Sequence, residues 1–263
     1  RPISLAVVGS DAVNTAPTSP APGRTGADTP YSNTEVKINL SVRTKIASGL
    51  LRGGDDLLRD SIWFAYTQQS YWQLFNGNLS RPFRATDHEP EVIYVFPHSF
   101  GLPADWTYRM SGVGLVHQSN GQSLPLSRSW NRVYLMGAAD KIAANGDRFT
   151  LGVRAWQRLR EKADQDDNPD ISNFIGRAEL VGRWTFDTGT GADKTPHTLG
   201  FTLRHALKRE ARGSVRLEYL RGIGNANSSL RFHTQLFSGY GDSLIDYNRK
   251  RNVLSVGLSL VDW

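Results

Sequence analysis

The chain has 263 residues, no cysteine and a formal net charge of +6. This length fits one large all-β domain, so we predict a single domain over residues 1–263, and the lack of cysteine excludes disulfides, thiolate metal sites and a cysteine nucleophile. The positive charge could favour nucleic acid, but Lys and Arg are scattered singly along the chain, so we expect no nucleic-acid partner.

The first 33 residues hold one predicted strand and one predicted loop. Residues 2–8 can form a strand. Residues 14–32 are rich in Pro, Thr, Ser, Gly and Ala, a composition that buries little apolar surface. We therefore predict a mobile loop between the first and second strands.

The clearest strand pattern covers residues 35–46, where apolar and polar residues alternate with a period of two. The same one-sided alternation recurs at 215–219 and 230–236. A short turn of helix could lie within residues 49–58. Further strands, separated by turns rich in Gly, Asn and Asp, are predicted at 60–74, 89–98, 105–119, 129–143, 147–160, 172–187, 195–207 and 252–263.

Aromatic residues decide between a soluble sandwich and a membrane barrel, because both show alternation. Trp and Tyr fall mostly near predicted strand ends, as in the interfacial girdles of outer-membrane barrels. The sequence thus predicts an all-β fold, a twelve-stranded antiparallel transmembrane β-barrel of the bacterial outer membrane, surrounded by outer-membrane lipids. The strand at residues 2–8 is included in the twelve because a closed single-chain bacterial barrel needs an even number of strands.

Three side chains on one predicted hairpin carry the candidate chemistry. His117 and Ser119 share parity with Leu115, and Asn131 on the next strand shares parity with Leu135, so we expect all three polar side chains to face lipid. A serine nucleophile needs a base, and the base needs a group that orients it. We interpret Ser119 as nucleophile, His117 as base and Asn131 as orienting group, although a polar cap on a strand end would give the same short pattern.

Six longer blocks of sequence carry a more specific signal than this triplet. They are residues 66–70, 82–84, 117–121, 127–132, 167–171 and 238–248, with the letters YTQQS, PFR, HQSNG, SRSWNR, DNPDI and SGYGDSLIDYN. From about Thr34 onward these blocks, in this order, resemble the outer membrane phospholipase A family. Residues 1–33 show no such resemblance.

The resemblance implies a calcium-dependent enzyme that is active as a homodimer in the outer membrane. Its expected activity is hydrolysis of acyl ester bonds of membrane glycerophospholipids, as phospholipase A1, phospholipase A2 and lysophospholipase. The catalytic triad that the resemblance implies consists of Ser119, His117 and Asn131.

The resemblance also implies a calcium ion at the dimer interface. Its ligands would be the backbone carbonyls of Gln122 and Ser127 and the hydroxyl of Ser80 of the partner subunit. Gln122 departs from the arginine expected there, a change that backbone ligation tolerates. Asp167 matches a residue linked to a further calcium position. Gln68 matches a polar residue at the dimer interface, where an outward-facing amide in lipid favours a partner.

Two other kinds of barrel remain open at this point. A non-catalytic porin or structural barrel does not need outward-facing His, Ser and Asn side chains at the rim of one strand pair. A porin would also conduct ions. A lipopolysaccharide deacylase shares an outward serine but normally has a smaller barrel.

Two further motifs have simpler interpretations. Residues 241–244 (GDSL) look like the nucleophile motif of soluble hydrolases, but they lie late in the chain between one-sided strands, so we expect a polar extracellular loop. The acidic run at 164–170 could bind calcium, although a solvated acidic loop is commoner.

Overall fold

Twelve strands form a closed antiparallel barrel in the computed structural model, which describes residues 3–52, 58–191, 194–224 and 228–260. Each strand pairs with its sequence neighbours, and β1 pairs with β12 to close the barrel. Over the described ranges, no helix is long and apolar enough to cross a membrane. The strands are β1 (Ile3–Ser10), β2 (Thr34–Ser48), β3 (Ser61–Trp72), β4 (Phe83–Leu102), β5 (Trp106–Ser119), β6 (Ser129–Ile142), β7 (Arg148–Leu159), β8 (Ala178–Thr188), β9 (Thr195–His205), β10 (Gly213–Gly222), β11 (Leu230–Gly239) and β12 (Arg251–Leu260). This confirms the predicted twelve-stranded all-β barrel, including its first strand.

Alternating side chains give the barrel an apolar outside and a polar inside. Leu5 pairs with Leu258, which in turn pairs with Phe232, and all three side chains are exposed on the outer wall. Their neighbours Ser4 and Ser259 point inward and are buried. Such an outward apolar band is the surface that a membrane barrel presents to lipid.

The observed strand ends differ from the predicted ones where local pairing overrides the sequence pattern. β4 starts at Phe83 instead of residue 89, because its first residues pair with β3, with one register shift, although they include the charged, buried Arg84 and Asp87. β8 starts at Ala178 instead of residue 172, because a 3-10 turn at Ile171–Asn173 and the left-handed Gly176 precede it. The predicted strand end at 261–263 and half of the predicted helical turn at 49–58, residues 53–57, lie outside the described residues.

The two ends of the barrel carry different connections. The end where β5 finishes holds the longer loops, whereas the opposite end holds the chain termini and mostly shorter connections. The loops at the first end, which we call the long-loop end, are 11–33, 73–82, 120–128, 160–177, 206–212 and 240–250.

The segment predicted as a mobile loop, residues 14–32, packs across the long-loop end. The hydroxyl of Ser19 donates to the Asp167 carbonyl at 2.6 Å, and Arg24 Nε lies 2.8 Å from Asp167 Oδ1. The Arg24 carbonyl accepts a bond from Arg128 Nη2 at 3.2 Å. Polar contacts to other loops thus involve a segment that has little apolar surface to bury, and its mobility stays a prediction.

The GDSL loop, which we predicted to be a polar extracellular loop, lies at the long-loop end and folds into the barrel mouth. Asp242 accepts a bond from Tyr71 Oη at 2.6 Å and lies 3.4 Å from Lys37 Nζ. Ser243 is buried and donates to Asp246 Oδ2 at 2.8 Å. Tyr71 and Lys37, on strands far from this loop in the sequence, thus satisfy the carboxylate of Asp242.

Candidate active site

The β5–β6 pair holds the three candidate catalytic residues at the long-loop end. His117 pairs directly with Asn131, and Ser119 pairs with Ser129. On β5 the exposed Leu115 and His117 alternate with the buried Val116, so His117 and Ser119 share the outward face, as strand parity predicted.

A hydrogen bond joins the candidate base to its orienting group. His117 Nδ1 lies 2.8 Å from Asn131 Oδ1. Since an amide oxygen can only accept, Nδ1 carries the proton and Nε2 of the neutral ring keeps its lone pair. Ser119 lies two residues further on the same face, and within the described part of the chain no hydrogen bond joins it to His117. The strand pair therefore presents an oriented base beside a serine.

Glu161 is a member of this cluster that the sequence analysis missed. It follows β7 in the loop at 160–177, and its Oε1 accepts a hydrogen bond from Asn131 Nδ2 at 2.9 Å. Arg158 Nη2 lies 3.9 Å from Glu161 Oε2. Burial raises the pKa of Glu161, while the Arg158 guanidinium opposes that rise. A single glutamate after a strand gives no sequence signal for the contact between Glu161 and Asn131, because that contact depends on how the loop at 160–177 folds back.

A second imidazole borders Ser119 on the opposite side. His88 pairs with Ser119 across β4 and β5 and with Gln68 across β3 and β4, so the three side chains form one outward row. Tyr66 Oη lies 2.7 Å from His88 Nδ1 and 3.2 Å from Gln68 Oε1. Sequence analysis selected Gln68 but missed His88, whose parity with Gln68 becomes visible only once the strand register is known.

The loop after Ser119 is closed by the side chain of Asn120. Asn120 Oδ1 accepts from the backbone N–H of Gln122 at 3.3 Å and of Arg128 at 2.9 Å, and Asn120 N donates to the Arg128 carbonyl. Between them Gly121 has a left-handed φ of 61°, which favours glycine. In the described ranges the Gly121 N–H makes no hydrogen bond, so one backbone donor beside Ser119 is open to a ligand.

The residues implied as calcium ligands lie at this end of the barrel. Gln122 and Ser127 share the loop at 120–128, and the Ser127 hydroxyl donates to Asp167 Oδ2. Ser80 is exposed on the loop at 73–82, where it could be reached by a second subunit. Asp167 already contacts Arg24 and Ser127, so it would need to release a partner before it could bind an ion directly.

The chemistry of this donor set fits calcium. Backbone carbonyls and a serine hydroxyl are hard oxygen ligands, which Ca²⁺ prefers, and the Asp167 carboxylate beside Ser127 adds negative charge. Among the residues described, no cluster of three or more His, Cys, Asp or Glu side chains is arranged to hold a metal ion. A cation here would therefore depend on neutral oxygens and, for a full shell, on water or a second subunit.

Comparison with known proteins places the chain in one family. The sequence profile of the phospholipase A1 family matches residues 1–260. A Neisseria meningitidis serogroup B relative is 36% identical over 95% of this chain, and the phospholipase A1 of Escherichia coli K12 is 34% identical over 87% of it. The chain spans 61% of the length of the Neisseria relative and 70% of the length of the E. coli enzyme.

Solved structures agree with the sequence comparison. The outer membrane phospholipase A of Escherichia coli superposes with a TM-score of 0.79 at 30% identity, covering 99% of this chain and 90% of that structure. A Salmonella typhi outer membrane phospholipase, solved as a dimer with bound calcium, gives the same TM-score and coverage at 29% identity. The chain therefore belongs to the phospholipase A1 family and is a bacterial outer-membrane β-barrel.

Proposed function

We propose that this barrel hydrolyses acyl ester bonds of glycerophospholipids, acting as phospholipase A1, phospholipase A2 and lysophospholipase. The observation that carries the proposal is the His117–Asn131 hydrogen bond beside Ser119 on the outward wall. Family membership supports the same reaction, since the matching relatives are named phospholipase A1.

The position of the three residues suits a substrate held in a membrane. Outer-membrane barrels place their longer loops outside the cell and their short turns in the periplasm. The long-loop end would then face the outer leaflet, and Leu115 and Leu135 would contact acyl chains next to the ester bond. A phospholipid can reach Ser119 by lateral diffusion, without entering the barrel.

The chemical steps follow from the orientation of His117. Ser119 Oγ would attack the ester carbonyl carbon while His117 Nε2 takes the hydroxyl proton, and Asn131 Oδ1 would hold the Nδ1–H of the resulting imidazolium. Collapse of the tetrahedral species breaks the acyl C–O bond, and Nε2–H protonates the departing alcohol oxygen. Water, deprotonated by His117, then releases the fatty acid and restores Ser119.

Two features near Ser119 could stabilise the oxyanion. The Gly121 N–H is a free backbone donor two residues from the nucleophile. Gln122 and Ser127 would hold calcium through their carbonyls, and the bound ion would supply positive charge near the ester oxygen. The loop that carries these groups is already closed by Asn120, so little reorganisation is needed.

Dimerisation would complete the calcium shell. Ser80 and Gln68 lie on β3 or its following loop, beside the β4–β6 wall that holds the candidate site. A second subunit packed on this wall would bring its Ser80 toward the loop at 120–128. A related Salmonella typhi enzyme is a dimer with bound calcium, which supports this part of the proposal.

Ion pairs between inward-facing side chains weigh against a porin. Arg132 pairs with Glu89 at 2.9 Å, and Arg204 pairs with Glu179 at 2.7 Å. Inward-facing Tyr134 donates to Glu91 at 2.7 Å. Twelve strands also exceed the smaller barrel that we associated with a lipopolysaccharide deacylase.

The test is acyl release from phospholipid in mixed micelles, first with calcium and then with chelator. We expect fatty acid release with calcium and a large loss in chelator, with Ser119→Ala as the inactive control. Ion conductance in planar bilayers without any acyl release would instead support a porin.

A further inference from the structure

We propose that Glu161 is a positioning residue that acts on His117 through Asn131; this rests on the proposed function. Asn131 bonds to both residues: its Oδ1 lies 2.8 Å from His117 Nδ1, and its Nδ2 donates to Glu161 Oε1 at 2.9 Å. The three side chains form a continuous hydrogen-bond chain that ends in a carboxylate. Sequence spacing and the family motifs both leave Glu161 out.

An amide needs such a partner because its two ends have nearly the same shape. If Asn131 rotated by a half turn, its NH₂ group would face the Nδ1–H of His117, and two donors would meet. An ionised carboxylate accepts hydrogen bonds but donates none, so Glu161 stabilises only the orientation with Nδ2 on its own side. That orientation leaves Oδ1 for the imidazole.

Glu161 also brings a negative charge to a triad whose third member is neutral. Hydrogen bonds in a chain polarise one another, so a carboxylate on Nδ2 makes Oδ1 a stronger acceptor. The imidazolium formed when Ser119 loses its proton would gain from that polarisation. Asn131 alone would supply orientation without charge.

The surroundings of Glu161 hold it in place. Arg158 Nη2 is 3.9 Å from Glu161 Oε2 and 2.6 Å from Asp166 Oδ1, so one guanidinium links the two acids of this loop. The charged groups that act on Glu161 are Arg158, Asp166 and Asp167. A purely structural ion pair in the loop is therefore the competing explanation, and the experiment must separate it from action through Asn131.

A double-mutant cycle makes that separation. We would measure kcat and KM for fatty acid release in mixed micelles for Glu161→Ala, Asn131→Ala and the double variant, with heat-modifiable migration as the check on folding. Glu161→Ala should lower kcat about tenfold with little change in KM, and it should have no further effect when Asn131 is already Ala. Equal losses in both backgrounds, or no loss in either, would overturn the proposal.

Two more variants sharpen the cycle. Glu161→Gln keeps an acceptor for Nδ2 but removes the charge. It should therefore recover part of the lost kcat and move the acidic limb of the pH profile of kcat to lower pH, because loss of a nearby negative charge favours the neutral form of the base. Glu210→Gln, a change of an exposed acid in another loop at the same end of the barrel, should leave both quantities unchanged. If Asn131→Ala and Ser119→Ala are themselves fully active, the proposed triad fails; if only the Glu161 variants are fully active, the triad stands and this inference fails.

Discussion

His117 Nδ1 and Asn131 Oδ1 face each other at 2.8 Å across paired strands on the outer wall of the barrel. Many serine hydrolases place a carboxylate at the position of Asn131. On a lipid-facing surface an ionised carboxylate would be costly to bury, whereas an amide with both ends bonded is not. Asn131 meets that condition, because its NH₂ group bonds to Glu161.

Replacement of Ser119 by Ala should abolish acyl release and leave a folded barrel. Ser119 lies on the outer face and contributes little packing, but loss of a nucleophile costs several orders of magnitude in rate. The measurement is fatty acid release, with heat-modifiable migration to show folding. Retention of more than about a tenth of the activity would mean that another group attacks. Ser243 is a poor substitute, since it is buried against Asp246 inside the barrel mouth.

Replacement of Asn131 by Ala should have a milder effect than loss of Ser119. His117 would keep its place on β5 and could still accept a proton, but its ring would lose the partner that fixes Nδ1–H. We expect kcat to fall by about ten- to a hundredfold. Thr234→Val, a change at an outward position on β11, serves as control, and a loss equal to that of Ser119→Ala would assign Asn131 a larger role than orientation.

The barrel and the hairpin of the candidate site could be predicted because both depend on short-range periodicity. Alternation of apolar and polar residues fixes which side chains face outward, and it is enough to place His117, Ser119 and Asn131 on the same surface. Strand ends were harder to predict. The first residues of β4 include the buried charge of Arg84, whose partners lie on β2 and in the loop at 240–250.

Contacts between loops could not be predicted, because they join residues far apart in sequence. Glu161 reaches Asn131 across 30 positions, and Arg24 reaches Asp167 across 143. The local sequence around Asp242 predicts a surface loop, whereas in the folded barrel Lys37 and Tyr71 contact the Asp242 carboxylate. The order of the strands does not determine how such loops fold over the barrel mouth.

The GDSL loop should make the barrel mouth sensitive to acid. Burial favours the neutral form of Asp242, but Lys37 and Arg251 outweigh it and lower the pKa of Asp242 to about 2. With an unfolded value near 3.9, the stabilisation is present above about pH 4 and is lost as pH falls toward 2. Asp242→Asn should reduce the unfolding free energy at pH 7 by about 3 kcal/mol.

This expectation can be measured by urea unfolding in detergent at pH 7 and at pH 2.5. The wild-type barrel should lose stability between the two, and Asp242→Asn should lose less, because its carboxylate is already gone. Asp164→Asn, an exposed change, should follow the wild type. Equal pH dependence in all three proteins would show that Asp242 does not couple to folding.

Replacement of Ser80 by Ala should raise the calcium concentration needed for half-maximal activity. Ser80 is exposed on the loop after β3, so its hydroxyl is open to the calcium shell of a second subunit. Loss of one oxygen ligand leaves Gln122 and Ser127 in place, so activity at saturating calcium should recover. A calcium titration of fatty acid release measures the midpoint, and Asn78→Ala, a change at an exposed position of the same loop, is the matched control. An unchanged midpoint would remove Ser80 from the proposed shell.

Replacement of Gln68 by Leu should weaken dimerisation. Gln68 is the outward amide of the row that continues through His88 to Ser119, and it bonds to Tyr66 and Ser70. In a dimer packed on this wall, the amide could exchange those bonds for a partner, a gain of about 1 kcal/mol in a membrane. Leucine would lose that gain, which corresponds to about a fivefold weaker dimer.

Sedimentation equilibrium in detergent with calcium measures this change directly. Thr234→Val on β11 provides the matched control, since it removes an outward polar group on a wall away from Ser119. If the dimer dissociation constant controls activity through mass action, Gln68→Leu should reach full activity only at a higher protein concentration than the wild type. A high protein concentration should then restore the rate. A dimer of unchanged strength in Gln68→Leu would place the interface on another part of the barrel.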